Sequence, residues 1–317
     1  MSIVLVAGAM ALDAATGDPR ALYSRVPHPV TLMARTLRAL ETRFNRPEDA
    51  DTRRRHLGGL TLAGYLAGWT GLAVVIDQGL SGTLGTLVLI ALASTLLAGR
   101  DLIDHVGAVA SALVHETDLD KARTAVGRIV GRETELLDRP AIVRAATESL
   151  AENLSDGFVA PVFWFAVAGF PGLVAYKAVN TADSLIGHRS DRYRCFGWAA
   201  ARLDDLANWI PARITAALLA LAALCEGRAA EAWRTARRDA RRHLSPNAGW
   251  PEAAMSGALG IRLGGPRRYG DRSVDGAWFG DGREEAVPGD LDRALRLARR
   301  AWLGLVAAAL VTALITN

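Results

Sequence analysis

The chain has 317 residues, of which half are apolar and 22% charged, with 37 Lys+Arg against 33 Asp+Glu. Mean hydropathy is +0.16 and the pI is about 9.4. This balance excludes a disordered chain and a small disulfide scaffold, argues against a purely soluble enzyme, and suits a membrane protein with large polar loops. The basicity is carried by arginine, since Lys121 and Lys177 are the only lysines. No basic run is interleaved with aromatics, so no nucleic-acid partner is expected. Cys195 and Cys225 form no CxxC or zinc pattern and read as reduced, structural thiols.

In chain order, residues 1–12 form a short apolar segment that Asp13 is expected to end. A polar loop, 14–56, follows. Uncharged runs at 57–76 and 78–99, separated only by Asp77 and the glycines around it, are each long enough for a hydrocarbon core of about 30 Å and together predict a helical hairpin. A second polar loop covers 100–156. Segments 157–176 and 206–225 are ambiguous: the first contains Pro161 and a Gly-Phe-Pro-Gly break at 169–172, the second holds Arg213 and only a short apolar run. They either both cross, placing 177–202 outside, or neither crosses and every charged loop is cytoplasmic. The break favours a re-entrant hairpin, since a broken helix is tolerated where protein covers the freed backbone. A third polar loop, 226–300, contains a glycine-rich stretch at 264–290 that reads as irregular. Residues 301–317 make a C-terminal span. Apolar runs rich in Ala and Leu, with few strand signals, predict an all-α polytopic membrane protein built as one domain.

Four polar clusters lie beside these apolar segments. In the first, Glu148 and Glu152 are i,i+4 neighbours on a helix and Asp156 continues that face, with Asn153 adjacent. Three acids on one face repel unless a cation sits among them, and magnesium suits a few carboxylates plus phosphate oxygens. The plain alternative is a solvated helix face ending at Gly157. In the second, Asn180 and Asp183 precede Arg189, Arg192 and Arg194, guanidiniums able to clamp phosphate or carboxylate, or simply to anchor at the membrane interface. The third joins Arg202, Asp204, Asp205 and Asn208, with Asp204 and Asn208 on one helix face. Acids entering a membrane segment are costly and serve a function or a structural pair. In the fourth, Asn247 lies in a Ser-Pro-Asn turn, Pro251 suits a first helical position, and Glu252 complements the helix dipole. Capping explains that segment without a ligand. The familiar phosphate loop, GxGxxG, HExxH and GxSxG motifs are absent from the sequence.

Gly17-Asp18-Pro19, His28-Pro29-Val30, and the long stretches at 147–164, 176–215 and 245–266 occur together and in order. In these the chain resembles the cobalamin-biosynthesis CobD/CbiB family, the adenosylcobinamide-phosphate synthases, over nearly its whole length. His188 departs from the tyrosine common in the family, and no catalytic role is assigned to it. The resemblance implies a bacterial inner-membrane ligase with its active loops facing the cytoplasm. It would join the free propionate of adenosylcobyric acid to (R)-1-amino-2-propanol or its O-phosphate, consuming ATP with Mg2+, to give adenosylcobinamide or its phosphate. Mapped onto these motifs, Glu148, Glu152, Asp183, Asp204 and Asp205 are the expected catalytic acids, with Glu152, Asp156 and Asp204 as metal ligands. Asn153, Asn180, Arg189, Arg192, Arg202, Asn208, Asn247 and Glu252 are expected to bind substrates.

Two other classes fit parts of the pattern. A non-catalytic membrane sensor or transporter would use intramembrane charge, but the polar clusters avoid the centres of the runs at 57–76 and 78–99. A scaffold for other late cobalamin enzymes is compatible with the same motifs. The small-residue faces of 57–99 suit packing within one chain or between two copies in a homo-oligomer.

Overall fold

The computed structural model describes residues 3–115, 119–131, 133–269, 272–274 and 276–316. Met1 and Ser2 of the first apolar segment lie outside them. The helices in chain order are α1 (Ile3–Thr16), α2 (Arg20–Tyr23), α3 (Pro29–Phe44), α4 (Asp51–Gly79), α5 (Gly82–Ser94), α6 (Gly99–His115), α7 (Asp120–Gly127) and α8 (Arg139–Asn153). A π-helical turn (Leu154–Val159) joins α8 to α9 (Ala160–Ile186). Then come α10 (Trp198–Ala207), α11 (Trp209–Ala222), α12 (Ala229–Asp239), α13 (Gly249–Leu259) and α14 (Pro288–Thr316). Among the described residues five segments are long and apolar enough to cross a membrane: Asp51–Gly79, Gly82–Val114, Arg139–Ile186, Trp209–Glu226 and Pro288–Ile315. The protein is all-α and polytopic.

Local sequence explains the helix ends. His28 caps α3 by accepting from Val30 N at 3.2 Å, with Pro29 at the first position. Asp138 caps α8 through Ala141 N at 2.8 Å, with Pro140 behind it. The structure corrects several expectations. Asp13 does not end α1: it is buried, and the helix runs to Thr16. The hairpin turns at Leu80–Ser81, between the glycines Gly79 and Gly82, while Asp77 itself fits within the last turn of α4. The run 78–99 is not one helix, since α5 stops at Ser94 and α6 begins at Gly99. The three polar loops are largely helical: α3 buries Met33, Leu37 and Glu41 on one face, a 3.6-residue pattern in which arginines occupy the other positions. The stretch 264–290 is not wholly irregular. Leu263–Gly264 (β1) pairs antiparallel with Trp278–Phe279 (β4), and Arg267–Tyr269 (β2) with Arg272–Val274 (β3).

The chain forms two compact units. The first comprises 1–98, 160–208 and 309–317. In it α4 packs on α3, α9 and α10, and α1 on α5. Gly58 permits the approach of α4, because a Cβ there would stand 2.0 Å from the backbone oxygen of Phe196. The ladder of α9 breaks at Ala168 (φ −127°, ψ 16°) and Gly169 (φ 71°, ψ −167°), at the start of the Gly-Phe-Pro-Gly sequence. The second unit comprises 99–159 and 209–308, where α11, α12 and α13 pack together and α8 packs against α6, α7, α13 and β1.

Candidate active site

The first unit gathers Asn180 and Asp183 on α9 with Asp204, Asp205 and Asn208 at α10. Asp204 is buried, and its Oδ2 accepts from Asn208 Nδ2 at 2.9 Å. Asn208 is held in turn by the Tyr176 hydroxyl, which donates to its Oδ1 at 2.9 Å. The other carboxylate oxygen of Asp204, Oδ1, is buried and finds no hydrogen-bond partner among the described residues. Burial, reinforced by the charges of Asp183 and Asp205 and opposed by the Asn208 and Asn180 amides, pushes Asp204 up to about 7. Burial also raises Asp205, against the pull of Arg202 and Arg189. Gly187 lets the chain turn tightly past α9, since a Cβ there would meet Asp183 Oδ1 at 1.9 Å.

The loop that follows carries the expected arginines, and they divide. Arg189 is exposed. Arg192 grips Glu41 of α3 through both carboxylate oxygens, at 3.0 and 3.1 Å. Asn45 donates to Glu41 Oε1 at 2.9 Å and to the Arg192 carbonyl at 3.0 Å, while the buried Arg54 donates to Asn45 Oδ1 at 3.0 Å and also reaches the Arg192 carbonyl. Arg194 pairs with Asp51 at 3.0 Å. Arg192, expected to hold phosphate, is therefore a clamp between its loop and the α3–α4 corner. Arg202 lies 3.6 Å from Asp205 and is largely exposed.

In the second unit Glu148 is buried, with Oε1 accepting from Gly264 N at 2.8 Å, so that it ties α8 to the glycine turn. Glu152 and Asn153 are exposed, and Asn153 folds back to Ser149 O at 2.9 Å. Asp156 is half-buried within the π-helical turn, where bonding shifts from i→i+4 to i→i+5 and changes the phase of later side chains. The helix therefore does not end at Gly157. Asn247 is buried and accepts from Arg213 at 3.3 Å. Glu252 is buried with His243 Nε2 at 3.7 Å. Pro251 is the third residue of α13, not the first. Among the described residues no group of three or more His, Cys, Asp or Glu is set to hold a metal ion.

Sequence reasoning missed Tyr176, although its i,i+4 spacing to Asn180 marks one face of α9. It also missed Glu41, Asn45 and Arg54, whose role depends on a loop distant in sequence.

A family model described as CobD/Cbib protein matches residues 6–298. The chain belongs to the CobD/CbiB family. It is 50% identical to the cobalamin biosynthesis protein CobD of Rhodobacter capsulatus over 299 residues, 94% of this chain and 93% of the relative. To proteins of the same description from Brucella suis biovar 1 and Rhizobium meliloti it is 47% identical over 303 and 300 residues, covering 94% and 92% of this chain and 92% and 91% of the relatives. No solved structure matches.

Proposed function

We propose that this CobD/CbiB family member acts in cobalamin biosynthesis as an ATP-dependent amide ligase. It joins the propionate carboxylate of adenosylcobyric acid to (R)-1-amino-2-propanol or its O-phosphate, in the bacterial inner membrane with its polar segments toward the cytoplasm. Family membership supports the pathway and the resemblance supports the reaction. The geometric observation that carries the site is the buried Asp204 carboxylate, one oxygen of which finds no hydrogen-bond partner among the described residues while Asp183 and Asp205 add negative charge around it.

A carboxylate is a poor acylating agent, so ATP first converts it to an acyl phosphate, and the amine then displaces phosphate. The amine arrives protonated and must lose its proton before attack. A carboxyl group poised near neutrality, such as Asp204, can hold the ammonium and accept that proton. Asp183 and Asp205 favour the same cationic partner. Magnesium, held by one or two such carboxylates with phosphate oxygens, would supply the charge neutralisation that phosphoryl transfer needs. The open Asp204 oxygen takes one cation at a time, the ammonium or a magnesium ion, and its acidic neighbours favour either. In the second unit Glu152 and Asp156 are proposed as metal ligands on the resemblance alone, and in the first Arg189 and Arg202 as phosphate donors, because Arg192 is engaged by Glu41. Asn153, Asn180 and Asn247 would bind corrinoid amides or nucleotide.

The test is an assay of detergent-purified protein with adenosylcobyric acid, aminopropanol phosphate, ATP and magnesium, read by mass. ATP-dependent amide product is expected. Substrate binding without product would transfer catalysis to a partner enzyme and leave this chain a scaffold. Asp204→Asn and Glu152→Gln should each abolish product while the protein still inserts and folds; full turnover by both would sink the acidic-site assignment.

A further inference from the structure

We infer that Arg213 is the residue that recognises the substrate carboxylate, on an indole platform that receives the flat corrin ring. This deepens the ligase reading and rests on it. Three tryptophans from three elements of the second unit converge here: Trp209 on the first turn of α11, Trp233 on α12 and Trp250 at the start of α13. The Arg213 guanidinium carbon lies 4.2 Å from the Trp209 ring centre and 4.8 Å from that of Trp250. Trp233 continues the surface, 6.4 Å from Trp250 and tilted by 45°. Trp209 is 52% exposed and Trp233 38%, so broad aromatic area faces outward.

Among the described residues the cation in this box has no counter-ion. Arg213 spends one terminal nitrogen on the Trp209 carbonyl and on Asn247 Oδ1, and among the described residues no carboxylate lies within 4 Å of it. The charged neighbour close enough to act on it is another cation, Arg241. A half-buried guanidinium close to two indole rings is oriented and weakly hydrated, with the rest of its donor fork unused among the described residues. That fork matches a carboxylate bidentately. A membrane-interface anchor would account for Trp209 and Arg213 alone. It does not account for Trp233, which sits on a polar helix, or for the buried Asn247 fixing the guanidinium. The ligand chemistry is thus one carboxylate on a large, flat conjugated ring, which is the acid substrate and not its amide product.

Equilibrium dialysis of the full-length protein in detergent, followed by corrin absorbance, tests this. Wild type should bind adenosylcobyric acid about tenfold or more tighter than adenosylcobinamide, the gain of one charge-assisted fork. Arg213→Gln should bring the acid down to the amide's affinity and leave amide binding unchanged, which also reports an intact fold. Arg213→Lys should restore part of the preference, and Trp250→Phe should weaken both ligands alike. An Arg213→Gln protein with the wild-type acid preference overturns the inference while leaving the ligase reading intact, as does displacement of the acid by ATP alone. Wild type that binds neither corrinoid overturns the ligase reading itself, and this inference with it.

Discussion

Asp204 carries the sharpest electrostatic prediction. Its pKa in the folded protein is about 7, above the roughly 3.9 of an unfolded chain, so folding favours the protonated form. The contribution to stability is complete below about pH 4 and is lost as pH rises through about 7, up to about 4 kcal/mol across the window. Thermal unfolding in detergent should therefore give a higher Tm at pH 5 than at pH 8, and Asp204→Asn should remove that slope. Equal slopes in both proteins would show that Asp204 is not desolvated as described. Residues of this kind were partly legible in the sequence. The i,i+4 pair Asp204–Asn208 follows from helical spacing alone and is found as a 2.9 Å hydrogen bond. The engagement of Arg192 by Glu41 was not legible, since nothing local in either segment specifies a partner 151 residues away.

At the scale of elements, glycine divides into two kinds along α4. At Gly58 a Cβ would meet backbone at 2.0 Å, whereas at Gly68 it would meet nothing within 4 Å. Gly58→Ala should cost about 1–3 kcal/mol by forcing α4 away from Phe196, and Gly68→Ala should be neutral. Chemical denaturation of the two purified variants checks this, and equal stabilities would remove the close contact from the account of this packing. The hydropathy of the chain located α4 and α14 because uncharged runs leave few alternatives for a long helix. It could not locate the short ladders of 263–279, because strands of two or three residues have no period to read. The π-helical turn at Leu154–Val159 was hidden for a related reason: one added residue per turn leaves the apolar pattern of 139–186 nearly unchanged.

For the whole molecule, the proposed chemistry constrains topology. The loop after α9 adjoins Asp183 and must meet ATP, so it should face the cytoplasm. Ser190 is exposed in that loop. In a background with Cys195 and Cys225 replaced by Ala, Ser190→Cys should react with a membrane-impermeant maleimide only after permeabilisation. Labelling of intact spheroplasts would place the loop outside and part it from its nucleotide.

The partition of the chain also bears on how the protein is made. The two units are interleaved in sequence, 1–98 with 160–208 and 309–317, and 99–159 with 209–308. Helices α1 to α5 leave the ribosome long before α9 and α10, against which α4 packs, so the notch at Gly58 waits for Phe196 with its wall missing. Non-local pairing of this kind delays closure and leaves early segments exposed to the insertion and quality-control machinery. A nascent chain stalled anywhere before Ala308 completes neither unit, which makes translation through α14 the committing step of its biogenesis.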